Sequence, residues 1–125
     1  MSKSDLFVAN PEFWENLDKL VNKYGYTIDR PRGSRHPRFQ KFIYPFDYGF
    51  IPFTKSSDGE GLDIWIGNSE IMQVTGILNI VDMDKFDAEM KILYACTLDE
   101  MQLIYELNNQ IMMRGVLIIR EQVYE

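Results

Sequence analysis

The stretch Tyr44–Asp63, YPFDYGFIPFTKSSDGEGLD, joins a tyrosine-bearing segment punctuated by Pro and Gly to three carboxylates, Asp58, Glu60 and Asp63. Like charges held this close by folding are costly unless a cation or a shared proton offsets them. In an extended segment Asp58 and Glu60 lie on one side, and Gly59 and Gly61 let the backbone turn before Asp63 enters the apolar run LDIWIG. An acidic surface turn between two strands fits the same pattern, because Asp-Gly is a common hairpin turn.

A second acidic cluster follows. The apolar run VTGILNIV ends in Asp82, and Met83, Asp84, Lys85, Phe86, Asp87, Ala88 and Glu89 come next. Hard divalent cations take such oxygen ligands. From Asp87 onward Ala88, Met90, Ile92, Tyr94 and Cys96 fall on one strand face, and Asp87, Glu89, Lys91 and Leu93 on the other, so an apolar face backs a charged one. A solvated strand face with alternating charges would look the same.

Positive charge is segregated. Arg30, Arg32, Arg35, Arg38 and Lys41, with the lone histidine His36, lie in a segment without an acid. Outside that segment eight Lys/Arg stand against nineteen Asp/Glu, a body charge near −11. Arginine forks match phosphate oxygens, and an acidic cluster facing a basic one suits metal-bound phosphate. A solvated basic loop is the competing reading. Taken together, two cations would lower the pKa of a shared water, Glu60 or Asp58 would accept its proton, and arginines would stabilise the departing phosphate.

The order of these pieces resembles the soluble family I inorganic pyrophosphatases, which carry Tyr-Pro-x-x-Tyr-Gly-Tyr/Phe-Ile, then Asp-Gly-Asp-x-x-Asp, then Asp-x4-Asp-x-Lys. The matching residues are Tyr44, Pro45, Tyr48, Gly49, Phe50 and Ile51; Asp58, Gly59, Glu60 and Asp63; and Asp82 and Asp87. The resemblance implies pyrophosphate hydrolysis on a five-stranded OB-like barrel with Mg²⁺, or Mn²⁺ in its place, held at the barrel mouth. Carried over, Asp58, Asp63 and Asp87 ligate the ions that generate hydroxide, and Asp82 holds a further ion brought with substrate. Glu60 stands where the family places its candidate general base, Tyr48 shapes the site, and Tyr44 bonds phosphate. Ile28-Asp29-Arg30-Pro31 resembles the family's Ile-Glu-x-Pro start, which places Asp29 at an acidic site position and Arg38 near a substrate lysine. A homo-oligomer is also implied.

The departures concern phosphate binding. Glu60 replaces the central aspartate, and one methylene matters in a preorganised site. Glu89 replaces the motif lysine, with Lys91 two residues on and on the same face. Only Lys41, Phe42 and Ile43 separate Gln40 from Tyr44, so the family's arginine-bearing hairpin is expected to be missing and its role to pass to Arg30, Arg32 or Arg35. Asn109 and Gln110 fall where the family has a Tyr-Lys pair.

At 125 residues and 46% hydrophobic, residues 1–125 read as one domain, mainly β with flanking helices. Asn10 and Pro11 open a helix in which Phe13, Trp14, Leu17, Leu20, Val21 and Tyr24 recur at helical spacing up to Gly25. Strands are expected near 25–29, 42–52, 62–67, 73–82 and 88–96, a number that suits a small barrel. Thr97 and Glu100 stand at capping-box spacing before Met101, Ile104, Tyr105, Leu107 and Ile111, and Gly115 releases a last strand, VLII; Met112 and Met113 are expected as core filler. No run reaches the roughly 18 apolar residues of a spanning helix, and MSKSDLFVAN lacks a signal-peptide core, so a cytoplasmic protein is expected. Cys96 reads as a packed thiol.

Three function classes follow: a hydrolase of pyrophosphate or of another small phosphoanhydride such as a nucleotide; a metal- and phosphate-binding module without turnover; and a nucleic-acid binder using the Arg30–Lys41 loop with Tyr44 and Tyr48 as stacking platforms. The net charge of −6 argues against the last.

Overall fold

The computed structural model describes residues 10–121. The segment 1–9, on which the signal-peptide expectation rests, lies outside them. In chain order the elements are α1 (Pro11–Tyr24), β1 (Thr27–Arg30), β2 (Asp47–Ile51), β3 (Leu62–Ile66), β4 (Val74–Asp82), β5 (Asp87–Tyr94), α2 (Leu98–Leu107) and β6 (Met113–Ile119). The strands form one six-stranded sheet in the order β1-β2-β3-β5-β4-β6. Every pairing is antiparallel except β3 with β5. The chain is therefore mainly β with flanking helices, as expected, and the strand carrying VLII joins the five expected ones in a sheet that is not closed.

Helix α1 starts as its sequence dictates: the Asn10 side chain accepts from the Glu12 N–H, and Pro11 occupies the first turn, where a missing donor costs nothing. Its buried residues Trp14, Leu17 and Val21 pack on one sheet face with Ile51, Ile64, Val74, Ile77, Ile92 and Tyr94. Asp18 ties the helix to the sheet, accepting from the Val74 N–H at 2.8 Å and from Arg120 Nη1 at 2.8 Å. The expected capping box of Thr97 and Glu100 is present in α2. Met101 and Ile104 from α2 reach the other face, packing with Tyr44, Trp65, Leu78, Ile80 and Leu93. Each such side chain, fully buried, contributes about 1.5–3 kcal/mol.

Four local expectations change. The strand expected over 42–52 is confined to Asp47–Ile51, because Pro45 offers no donor and residues 42–44 pair instead with the basic segment. Ala95 adopts a left-handed φ of 51°, which turns Cys96 out of the strand alternation and into the Trp65 cluster. There burial, with Glu100 nearby, pushes its thiol pKa up, as a packed thiol requires. Tyr105 and Ile111 are exposed rather than packed, Ile111 lying beyond the end of α2. Met112 is half exposed, whereas Met113 packs against the core.

Candidate active site

The parallel register of β3 and β5 sets Asp63 opposite Lys91, and the antiparallel register of β2 and β3 sets Tyr48 opposite Trp65. Because side chains alternate along a strand, Tyr48, Asp63, Trp65, Glu89 and Lys91 all rise from the same sheet face. The Lys91 ammonium lies 3.0 Å from Glu89 Oε1 and 3.3 Å from Asp63 Oδ2, and it donates to the Tyr48 hydroxyl. Only 11% of its side chain is exposed. Burial alone would lower the pKa of Lys91, but the polar ring of Tyr48, Asp63 and Glu89 outweighs it and holds the amine protonated. Burial likewise pushes the Tyr48 phenol well up, so this hydroxyl stays neutral beside the ammonium. Tyr48 packs edge-on against Trp65 at 4.8 Å between ring centroids, which fixes the phenol from below.

Above this floor stands the basic segment, and it is a built structure. Gly33 N–H donates to Tyr44 O, Tyr44 N–H to Ser34 O, and His36 N–H to Phe42 O, with an antiparallel bridge between Arg35 and Ile43. A short hairpin is thus present where none was expected before the Tyr-Pro segment. Its tip is held by His36, whose Nδ1 accepts from the Arg38 N–H at 3.0 Å and the Phe39 N–H at 3.1 Å. The ring proton therefore belongs on Nε2. The His36 ring also stacks on Tyr44 at 6.2 Å with a 9° interplanar angle. Partial burial lowers the His36 pKa, and Arg30, Lys85, Arg38 and Lys91 lower it further. Positive charge from β1, the hairpin, the β4–β5 turn and β5 therefore acts on this ring.

The expected phosphate ligands separate within this arrangement. Arg30, Arg38 and Lys91 contribute to the positive field at His36, and Arg38 lies 3.7 Å from Asp84. Arg35 instead donates to Gln40 O at 2.9 Å and closes the hairpin. Tyr44 is buried; burial raises its pKa, partly opposed by Arg30 and Lys91. Sequence reasoning missed Lys85, which sits among the acids of the β4–β5 turn yet acts on both His36 and Asp58. The alternation of signs in Asp84-Lys85 was the available signal.

The carboxylates are arranged less tightly. Asp58 and Glu60 lie in an exposed loop in which Asp58 Oδ1 accepts from the Ser56 hydroxyl and the Glu60 N–H. Those two bonds hold the Asp58 carboxyl below its ordinary range and make it a weak proton acceptor at neutral pH. Among the described residues the Glu60 carboxylate has no hydrogen-bond partner. Asp82 and Asp87 face each other across the β4–β5 turn, and Asp82 Oδ1 accepts from the Asp84 and Lys85 N–H groups. Four residues separate Asp87 from Lys91, the partner of Asp63, or about 13 Å along a strand. Among the described residues no three Asp, Glu, His or Cys side chains come together as a metal cage. The donor chemistry of Asp58, Asp63, Asp82 and Asp87 suits Mg²⁺, but the arrangement does not fit a resident ion, because Asp63 already faces an ammonium.

A cleft of about 450 Å³ opens elsewhere, walled mainly by Leu62, Ile80, Val81, Met90, Arg114 and Val116. Its lining includes Glu89 but none of the cations that act on His36. Among the described residues no helix is long and apolar enough to cross a membrane.

Comparison with known proteins identifies the fold and the family. No curated protein matches the sequence. Among solved structures, the inorganic pyrophosphatase of Thermus thermophilus superposes with a TM-score of 0.53 at 20% identity, covering 77% of this chain and 82% of that one. An inorganic phosphatase of Anaplasma phagocytophilum superposes with a TM-score of 0.52 at 14% identity, covering 75% and 81%. At these identities the likeness establishes the fold. Residues 22–113, which contain the Tyr48–Asp63–Lys91 floor, the basic hairpin and both acidic turns, match the family described as inorganic pyrophosphatase, and the chain belongs to that family.

Proposed function

We propose that this chain hydrolyses inorganic pyrophosphate to two phosphates, taking it as its complex with Mg²⁺ or Mn²⁺. The observation that carries this reading is the family match over residues 22–113, and the positive field of Arg30, Arg38, Lys85 and Lys91 felt at the His36 ring supports it. A compact polyanion is the ligand such a field selects.

In this reading the chain's residues do three things. Arg30 and Arg38 bind terminal phosphate oxygens and stabilise charge on the departing phosphate, while Lys91 holds Asp63, Glu89 and Tyr48 in place beneath them. Glu60, the carboxylate without an internal partner, accepts the proton of the attacking water; Asp58 orients the loop that carries it. Asp82 and Asp87 at the turn offer oxygen ligands to the ion that arrives with the substrate. Residues 1–125 are taken as one domain acting in the cytoplasm, with a homo-oligomer as its assembly.

A second reading, a phosphate-binding module without turnover, is favoured by one observation: Asp63 is already neutralised from within by Lys91. Phosphate release from pyrophosphate and from a panel of nucleotides, with Mg²⁺ or Mn²⁺, separates the readings when Asp63→Asn and Asp87→Asn are run beside the unaltered chain. Pyrophosphate turnover that both substitutions abolish is the expected result. Turnover of a nucleotide alone would reassign the substrate, and a folded protein that binds pyrophosphate without releasing phosphate would establish the binding module.

A further inference from the structure

The Asp63–Glu89 pair already has a cation. Lys91 Nζ has three N–H donors, and its neighbours are Glu89 Oε1 at 3.0 Å, Asp63 Oδ2 at 3.3 Å and the Tyr48 hydroxyl, so its donor capacity is filled. It also lies 4.8 Å from the centroid of the Tyr48 ring, against whose face a cation is attracted. This arrangement has a sequence origin. Where the resembling motif reads Asp-x-Lys, the chain reads Asp87-Ala88-Glu89-Met90-Lys91. Glu89 stands at the motif's lysine position, and Lys91 lies two residues on, about 6.6 Å along the same face. Lys91 is the residue paired with Asp63.

We propose that Lys91 is a tethered replacement for a divalent ion: it occupies the position between Asp63 and Glu89, so that the resting protein holds no divalent cation at Asp63. A divalent ion entering there would have to expel a largely buried ammonium and leave it beside a second positive charge. With two carboxylates and one ammonium the cluster keeps a charge of only −1, a weak lure for Mg²⁺. Metal ions then reach this protein only in company with a polyanion that the Arg30–Arg38 side can hold. The inference goes beyond the proposed turnover and stands or falls separately from it.

Direct binding of Mn²⁺ alone to the full chain, without phosphate, tests this by titration calorimetry and by the electron paramagnetic resonance signal of free Mn²⁺. In the unaltered protein, Asp63→Asn is expected to leave Mn²⁺ affinity unchanged. Lys91→Met is expected to gain about tenfold in affinity, and Asp63→Asn in that background to remove the gain. Lys91→Gln, which keeps a donor toward Tyr48, should show the same gain and guards against loss of folding in the methionine variant. A melting temperature that Mn²⁺ raises in either variant more than in the unaltered chain would support the proposal. Mn²⁺ binding that Asp63→Asn abolishes in the unaltered protein would overturn it, as would folded Lys91 variants without any gain. If neither variant folds, the comparison of unaltered protein with Asp63→Asn decides alone.

Discussion

Between Gly33 and Tyr44 the positive arm of the site is a hairpin closed by its own backbone bonds and seated on the core through Phe42 and Tyr44, and the His36 ring accepts from two backbone N–H groups at its tip. Between Ser56 and Glu60 the negative arm is bonded to itself, Ser56 and Asp58 closing a small turn exposed to water. The difference assigns the two arms different tasks. Preorganised cations lose little freedom when an anion arrives, whereas exposed carboxylates keep their solvation until a cation draws them in. Asp63 and Glu89 differ from these acids: they rise from the sheet face, and Lys91 holds both.

The largest effect should come from removing the link between the arms. Lys91→Met leaves Asp63 and Glu89 facing each other without their cation and should cost about 3 kcal/mol of stability at neutral pH, read from urea denaturation. An unchanged midpoint would mean that water already screens the pair. Next, Arg38→Ala should lower kcat/KM for pyrophosphate about a hundredfold, chiefly through KM, while Glu60→Gln should act chiefly on kcat. If both act on KM alone, the acidic arm takes no part in proton transfer.

A smaller effect is expected of acidity. The folded-state pKa of His36 is depressed below the ordinary 6.5, so the unfolded chain binds the proton more readily. Stability from this residue is complete above that value and is lost as pH falls through it, levelling off below the folded-state value. The melting temperature of the unaltered protein should therefore drop more between pH 7.5 and pH 5.5 than that of His36→Asn; parallel curves would remove His36 from the fastening of the basic arm. The smallest effect belongs to the Arg38–Asp84 contact, at 3.7 Å with side chains 66% and 48% exposed. Asp84→Ala should change stability by less than about 0.5 kcal/mol, and a larger loss in denaturation would show that the turn is a real anchor for the arm.

Much of this was legible in the residues, and what was not has identifiable causes. The alternation from Asp87 to Leu93 gave the charged face of β5, and Thr97 with Glu100 gave the start of α2, because both rest on local periodicity or spacing. Alternation names a face but not a neighbour: that Lys91 meets Asp63 depends on a parallel register set by residues far apart in sequence. The position of Cys96 depended on the left-handed turn at Ala95, which no side-chain pattern announces. The hairpin before Tyr44 was hidden because its ladder is short and its arginines look alike in sequence, although Arg35 closes the turn while Arg38 reaches toward Asp84. Sequence counts candidate ligands but cannot measure their separation, and among the described residues no three of these carboxylates come together.

The sheet order has a kinetic consequence. Strand β5 lies between β4, its hairpin partner, and β3, with which it pairs in parallel, so the Asp82–Asp87 turn is a local contact while Lys91 and Asp63 meet across 28 positions. Loop-closure entropy favours the local contact early and the distant one late. The ammonium thus finds its carboxylate when the sheet as a whole closes, and the same closure brings Tyr48 and Trp65 into place. In stopped-flow refolding of a Trp14→Phe variant, whose remaining tryptophan is Trp65, the fluorescence change and resistance to unfolding should appear in a single phase, leaving no partly folded form with a working site.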